Sequence, residues 1–251
     1  MRRSLARGEV VLWSLPVEEI SPTMLATLRL SLSDEELVRA DRFLFERDRN
    51  LYTAAHALLH ALLVPVGAPA ARFRENKWGK PEIDAQGDML RFNLTHTRGL
   101  VACAMTMVDD LGVDAESSDR RVDFVALARK FFAPSEAEYV SSLPQVDQGP
   151  AFLRLWTLKE AFIKAVGKGL STALAKFSFT LEPFSFRCAP SLRQVAEDWQ
   201  FQSFTLGSTH YLALALHRPA ALPMVLKHRI IAPEALASRG EDPQEFEALD
   251  S

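Results

Sequence analysis

Two groups of charged residues in this 251-residue sequence have the types and spacing to do chemistry. The first is Gly112-Val113-Asp114-Ala115-Glu116. In a strand, side chains alternate between faces, so Asp114 and Glu116 point one way and Val113 and Ala115 the other. Two carboxylates on one face repel each other unless a cation neutralises them. Oxygen ligands of this kind suit Mg2+, usually held by one or two carboxylates together with substrate phosphates and water. A solvated strand face is the plain alternative. The second group lies in Trp156-Thr157-Leu158-Lys159-Glu160-Ala161-Phe162-Ile163-Lys164-Ala165-Val166-Gly167-Lys168-Gly169. At helical spacing Thr157, Glu160 and Lys164 form one narrow stripe, opposite an apolar face of Leu155, Leu158, Phe162 and Val166. Glu160 and Lys164 alone could be a simple i,i+4 surface pair. Lys159 is odder, because it falls inside the apolar arc. Either its stem snorkels to water or its ammonium reaches a buried anion.

These groups need elements to position them. Val10–Leu15 reads as a strand. Ser33, followed three residues later by Glu36, is a capping-box helix start, and residues 41–64 read as one helix ending before Pro65. His56 and His60, four apart, share a face of it and could be a metal pair or a half-buried helix surface near a phosphate site. Leu90–Leu94 and Leu100–Met105 read as strands joined by Thr95-His96-Thr97-Arg98-Gly99, a hairpin with a polar, functionalised tip. Leu111–Glu116 is a third strand. Helices follow around 125–130 and over 152–166, closed by Gly167, then strands at 176–181, 199–206 and 211–216. Helix followed by antiparallel strands, twice, predicts an α+β protein of two related lobes. The expected division is 1–109, 110–237 and an acidic, flexible tail over 238–251.

Composition narrows the class. Hydrophobic residues make up 48% and charged residues 24%, as in ordinary globular proteins, which excludes a mainly disordered chain. The net charge of −3 gives no general basic face for nucleic acid. No apolar run approaches the ~20 residues that a membrane span needs. Val10–Val17 contains Pro16 and leads into Glu18-Glu19, a poor signal peptide, so a cytoplasmic location is expected. Cys103 and Cys188 make neither a disulfide framework nor a zinc site. Cys103, in an apolar run, reads as a small buried hydrophobe.

Taken together, the order G-K-P, F-N-L-T-H-T, G-V-D-A-E, F-F-A-P-S-E and L-W-T-L-K-E-A-F-I-K-A-V-G-K-G-L resembles the 4′-phosphopantetheinyl transferases, in particular the two-lobed, monomeric Sfp-like type. The likeness runs from about Arg42 to Phe179. It implies two similar lobes related by a pseudo-twofold axis, each a small antiparallel sheet packed on a long helix. It also implies transfer of the phosphopantetheine arm of coenzyme A to a serine of an apo acyl- or peptidyl-carrier protein, releasing 3′,5′-ADP. By the resemblance, Asp114, Glu116 and Glu160 surround Mg2+ (Mn2+ being possible), and Glu160, with Glu116 as runner-up, takes the serine proton. Lys164 meets the coenzyme phosphates with Lys159 in support, and Lys80, Thr95 and His96 meet the 3′-phosphate. Thr95 and Thr97 stand where serines are commoner, and His56 and His60 where relatives often carry arginines, a loss that Arg39, Arg47 and Arg49 could offset. Residues 122–139, with Arg129, Lys130, Phe131 and Phe132, form the expected docking edge for an acidic carrier helix. Two other functions fit the acidic site: a Mg2+-dependent nucleotide pyrophosphohydrolase and a non-catalytic coenzyme A or carrier-binding module.

Overall fold

The computed structural model describes residues 5–18, 20–64, 68, 73–83, 90–168 and 173–237. In chain order the elements are β1 (Glu9–Pro16), α1 (Pro22–Arg29), α2 (Asp34–Asp41), α3 (Glu46–Leu63), β2 (Phe73–Glu75), β3 (Pro81–Ile83), β4 (Leu90–Thr97) and β5 (Leu100–Met107). Then come β6 (Leu111–Ser117), α4 (Phe124–Phe131), α5 (Pro134–Ser142), α6 (Gln145–Val166), β7 (Phe177–Leu181) and β8 (Phe184–Cys188). The last are β9 (Trp199–Leu206), β10 (His210–His217), β11 (Val225–Ile230) and α7 (Pro233–Ala237). The expected tail over 238–251 lies outside the described residues. The fold is α+β, and the chain divides into two compact units.

The first unit takes residues up to 74, 82–108 and 225 onward. Its sheet has the order β11-β1-β5-β4. β5 (LVACAMTM) is buried at all but its last position, the mark of a strand covered on both faces. The sheet is mixed rather than antiparallel: β11 pairs with β1 in parallel, from Glu9↔Val225 to Ser14↔Ile230. The expected C-terminal boundary at 237 is therefore too late, since β11 (Val225–Ile230) belongs with β1. The long helix expected over 41–64 is two, α2 ending at Asp41 and α3 starting at Glu46. α3 turns Leu51, Leu58, Leu59, Leu62 and Leu63 into the core. The hairpin tip is shorter than expected. Thr95, His96 and Thr97 continue β4, with Thr97 opposite Leu100, so Arg98 and Gly99 make the turn and Gly99 takes φ +80°, which glycine allows at little cost.

The second unit takes residues 75–81 and 109–224. Its antiparallel sheet β6-β10-β9 packs on α6, and β7 pairs with β8. α6 starts at Gln145, two turns before expectation, with Pro150 inside it. The core is aromatic. Phe162 meets Phe177 at 4.7 Å, Phe186 at 5.0 Å and Trp199 at 4.7 Å between ring centroids, and Phe152 stacks on Phe132 at 4.9 Å.

Candidate active site

The second unit brings Asp114, Glu116, Glu160 and Lys164 together, and a glycine makes this possible. A Cβ on Gly112 would collide with Ala161 O and Ala165 N of α6. β6 therefore lies directly against the helix, and small residues on both sides permit it. Leu111, Val113 and Ala115 are buried on the opposite face of the strand, while Asp114 and Glu116 share the face of Gly112, beside the Glu160–Lys164 stripe. The Lys164 ammonium donates to Asp114 Oδ1 at 2.6 Å and to Val113 O at 3.1 Å. Arg120 Nη1 donates to Glu116 Oε1 at 2.7 Å.

Three carboxylates thus face two cations. Burial, then the neighbouring charges of Asp114 and Glu116, lift the Glu160 carboxyl to about 7, against partial relief from Lys164. Glu116 is raised as well, by burial and Asp114, while Arg120 and Lys164 pull it down. The donors are all carboxylate oxygens, the type that Mg2+ and Mn2+ take, and a divalent cation would supply the positive charge that lets the crowded carboxylates, Glu160 included, ionise together. The residues fit such an ion in type. Among the described residues, however, no three such side chains form a ready-made ligand cluster. Lys164 and Arg120 each engage one oxygen of two of the three carboxylates, so an ion would share these groups with cations already in place.

Lys159 goes elsewhere. Its ammonium is fully buried and donates to Leu174 O at 2.9 Å, Phe177 O at 2.7 Å and Glu136 Oε2 at 2.7 Å. Of the two readings of its position, the buried anion is correct, and that anion is Glu136. Its expected support of the coenzyme phosphates fails, because all three ammonium hydrogens already have acceptors inside the core. Glu136 also accepts from the Ala133 and Phe179 amides at 3.0 and 2.8 Å. Nothing in the residue spacing pairs Glu136 with Lys159; only the folded contact of α5, α6 and β7 does.

Lys80 donates to Leu111 O at 3.1 Å and Ala165 O at 3.3 Å. The second is a carbonyl of the last turn of α6, where cations are favoured. Asn76 donates to Gly167 O at 3.2 Å, closing the same helix end. Thr95 and His96 stand on β4 of the first unit, where alternation separates them: Thr95 is buried and His96 exposed. His56 and His60 are not a metal pair. His56 Nδ1 donates to Glu36 Oε1 at 2.6 Å and His60 Nε2 to Glu36 Oε2 at 2.9 Å. Glu36 also completes the Ser33 capping box and is held well below the usual carboxylate range, its burial outweighed by these hydrogen bonds. Of the arginines weighed as compensation, Arg39 lies over the Tyr52 ring at 6.0 Å, Arg47 pairs with Asp48 and Arg49 donates to Phe43 O. On the expected docking edge Arg129 and Lys130 are exposed, but Phe132 is buried in the core. Cys103 is fully buried, and its thiol is pushed up by that burial.

The model of the 4′-phosphopantetheinyl transferase superfamily matches residues 110–215, which carry all four members of the acidic site. The chain is 34% identical over 202 residues to the 4′-phosphopantetheinyl transferase HetI of Nostoc sp., covering 78% of this chain and 82% of that protein. It is 29% identical over 215 residues to the transferase psf-1 of Bacillus pumilus, covering 84% and 89%. To the transferase Sfp of Bacillus subtilis it is 29% identical over 153 residues, covering 60% and 66%. The chain belongs to the 4′-phosphopantetheinyl transferase superfamily. Within it, the chain is an enzyme of the holo-carrier-protein synthase kind, of the Sfp-like type.

Proposed function

We propose that this chain transfers the phosphopantetheine arm of coenzyme A to a serine of an apo acyl- or peptidyl-carrier protein, with Asp114, Glu116 and Glu160 as the acidic site and Mg2+ dependence. The convergence of these carboxylates on one strand–helix contact, flanked by Lys164, carries the reading. A divalent cation held by the three would neutralise the coenzyme pyrophosphate and fix its geometry. Lys164 lies next to this group, bonded to Asp114, and is assigned to the coenzyme phosphates by the family motif. The carrier serine oxygen attacks the phosphorus next to pantetheine, the bond to the bridging oxygen breaks, and 3′,5′-ADP leaves. Glu160 accepts the serine proton, the role of a positioned carboxylate acting as general base. Lys80, Thr95 and His96 are assigned to the 3′-phosphate by the family motifs alone. Arg129 and Lys130 on α4 offer the positive charge for an acidic carrier helix.

The test is intact-protein mass spectrometry of an apo carrier incubated with this chain, coenzyme A and Mg2+. The expected result is a gain of one phosphopantetheine arm with stoichiometric 3′,5′-ADP, abolished by a chelator. Cleavage of coenzyme A without a carrier would favour the pyrophosphohydrolase instead. Coenzyme A binding with no turnover on several carriers would favour the binding module.

A further inference from the structure

We propose that Arg120 is a built-in counter-ion of the acidic site, competing with a divalent cation for Glu116 and so setting how much of the cation the enzyme needs. The proposal rests on the reading of Asp114, Glu116 and Glu160 as the cation's ligands.

Arg120 follows β6 closely and is held from two sides. Its guanidinium donates to Glu116 Oε1 at 2.7 Å and lies over the Trp156 ring at 5.5 Å. Trp156 is itself fixed, stacked on Phe152 at 5.6 Å and edge-on to Phe131 at 6.0 Å. It sits four residues before Glu160, one turn away on the same helix face. Arg120 therefore reaches from the strand that bears two candidate ligands to the turn of α6 just ahead of the third. The side chains are 35% exposed for Arg120 and 20% for Glu116, so the pair is neither loose surface charge nor locked core.

The two cations of the site differ in how firmly they are tied. Lys164 grips both Asp114 and the Val113 carbonyl. Arg120 has the Glu116 carboxylate and the face of an aromatic ring, a contact without directional hydrogen bonds. When an ion takes Glu116, Arg120 can keep its guanidinium on the ring face and exchange the carboxylate hydrogen bond for water. The ion's apparent affinity is then lowered by the fraction of molecules in which Arg120 holds Glu116.

Binding of Mn2+ to the full chain without coenzyme A, followed by loss of the free-ion EPR signal, tests this. Arg120→Ala is expected to bind Mn2+ about two- to fivefold tighter, the fold-change equivalent of a partly exposed ion pair. Arg120→Gln, which removes the charge but keeps a polar side chain of intermediate length, should do the same. Arg120→Lys should stay near the wild-type value, and Arg121→Ala, which removes an equal charge one residue along, should leave affinity unchanged. Unchanged or weaker binding in both Arg120→Ala and Arg120→Gln overturns the proposal. Equal tightening by Arg121→Ala also overturns it, since general charge would then explain the effect. Asp114→Asn and Glu160→Gln separate the two levels. If they abolish Mn2+ binding while the Arg120 variants change nothing, only the counter-ion role falls. If they leave Mn2+ binding intact, the reading of the acidic site falls, and this proposal with it.

Discussion

Replacing Lys159 with methionine separates a structural lysine from a coenzyme-binding one. Methionine fills most of the same volume but removes an ammonium with three acceptors at 2.7–2.9 Å. Burial alone lowers the affinity of Lys159 for its proton and raises that of Glu136, and the mutual attraction of the two opposes both shifts. Removing one member strands the other charge in the core, a loss of about 3–5 kcal/mol. Leu174 O and Phe177 O lose a donor at the same time. For a chain of this size the loss corresponds to a fall in Tm of about 6–20 °C, at about 2–4 °C per kcal/mol. Lys159→Met/Glu136→Gln should recover part of it, because the amide can still accept one of the two main-chain N–H groups without a stranded charge. The assay is thermal and urea unfolding of the four members of the cycle, with the coenzyme A Kd measured well below the Tm. The reasoning predicts a large stability loss with nearly unchanged coenzyme A affinity. Unfolding that matches wild type with a Kd weakened tenfold or more would refute it, and would restore Lys159 to the coenzyme site.

Other outcomes follow from the same geometry. Gly112→Ala drives a methyl into Ala161 O and Ala165 N; backbone cannot move aside as a flexible side chain can, so a loss of about 3 kcal/mol or more in unfolding free energy is expected, at the upper end for overpacking. Glu160, lifted to about 7 from an ordinary 4.5, keeps in the folded chain a proton that the unfolded chain has lost. Stability in metal-free buffer should therefore be greatest below pH 4.5 as far as this group is concerned, and fall as pH rises to about 7. The fall is about 2 kcal/mol, discounted for partial exposure, and urea titrations at several pH values should show it shrink in Glu160→Gln. Glu36→Gln leaves His56 and His60 without their shared carboxylate, so a Tm lower by about 4–8 °C is expected for a loss of about 2 kcal/mol in a buried hydrogen-bonded network.

Local order in the sequence made much of this legible. The period-2 placing of Asp114 and Glu116 and the helical stripe of Glu160 and Lys164 each depend on neighbours in the chain, and both stand as expected. The Ser33–Glu36 capping box is equally local, and it formed. The misreadings concern long-range contacts or small shifts in a boundary. β11 leaves the second half of the chain to pair in parallel with β1, a crossover that no local period announces. Thr95 and His96 look like a loop because they are polar, yet they sit on an edge strand, where one polar face is tolerated. Glu36 already carried a local role, so its capture of two histidines 20 and 24 residues away was hidden. The F-F-A-P-S-E motif was visible, but the use of its glutamate was not, since Lys159 and Glu136 meet only when α5, α6 and β7 close the core. Gly112 had a signal that could have been read: a glycine at the start of an otherwise well-filled strand often marks a close backbone approach.

The central claim is that the carboxylates gathered by β6 and α6 do the chemistry. The rate of holo-carrier formation, followed by intact mass under saturating coenzyme A for wild type and Glu160→Gln, tests it most directly. Glutamine keeps the size and the helix but cannot accept the serine proton. The account predicts a rate at least about a hundredfold lower, with the variant folded and still binding coenzyme A. A rate within a few-fold of wild type would contradict it.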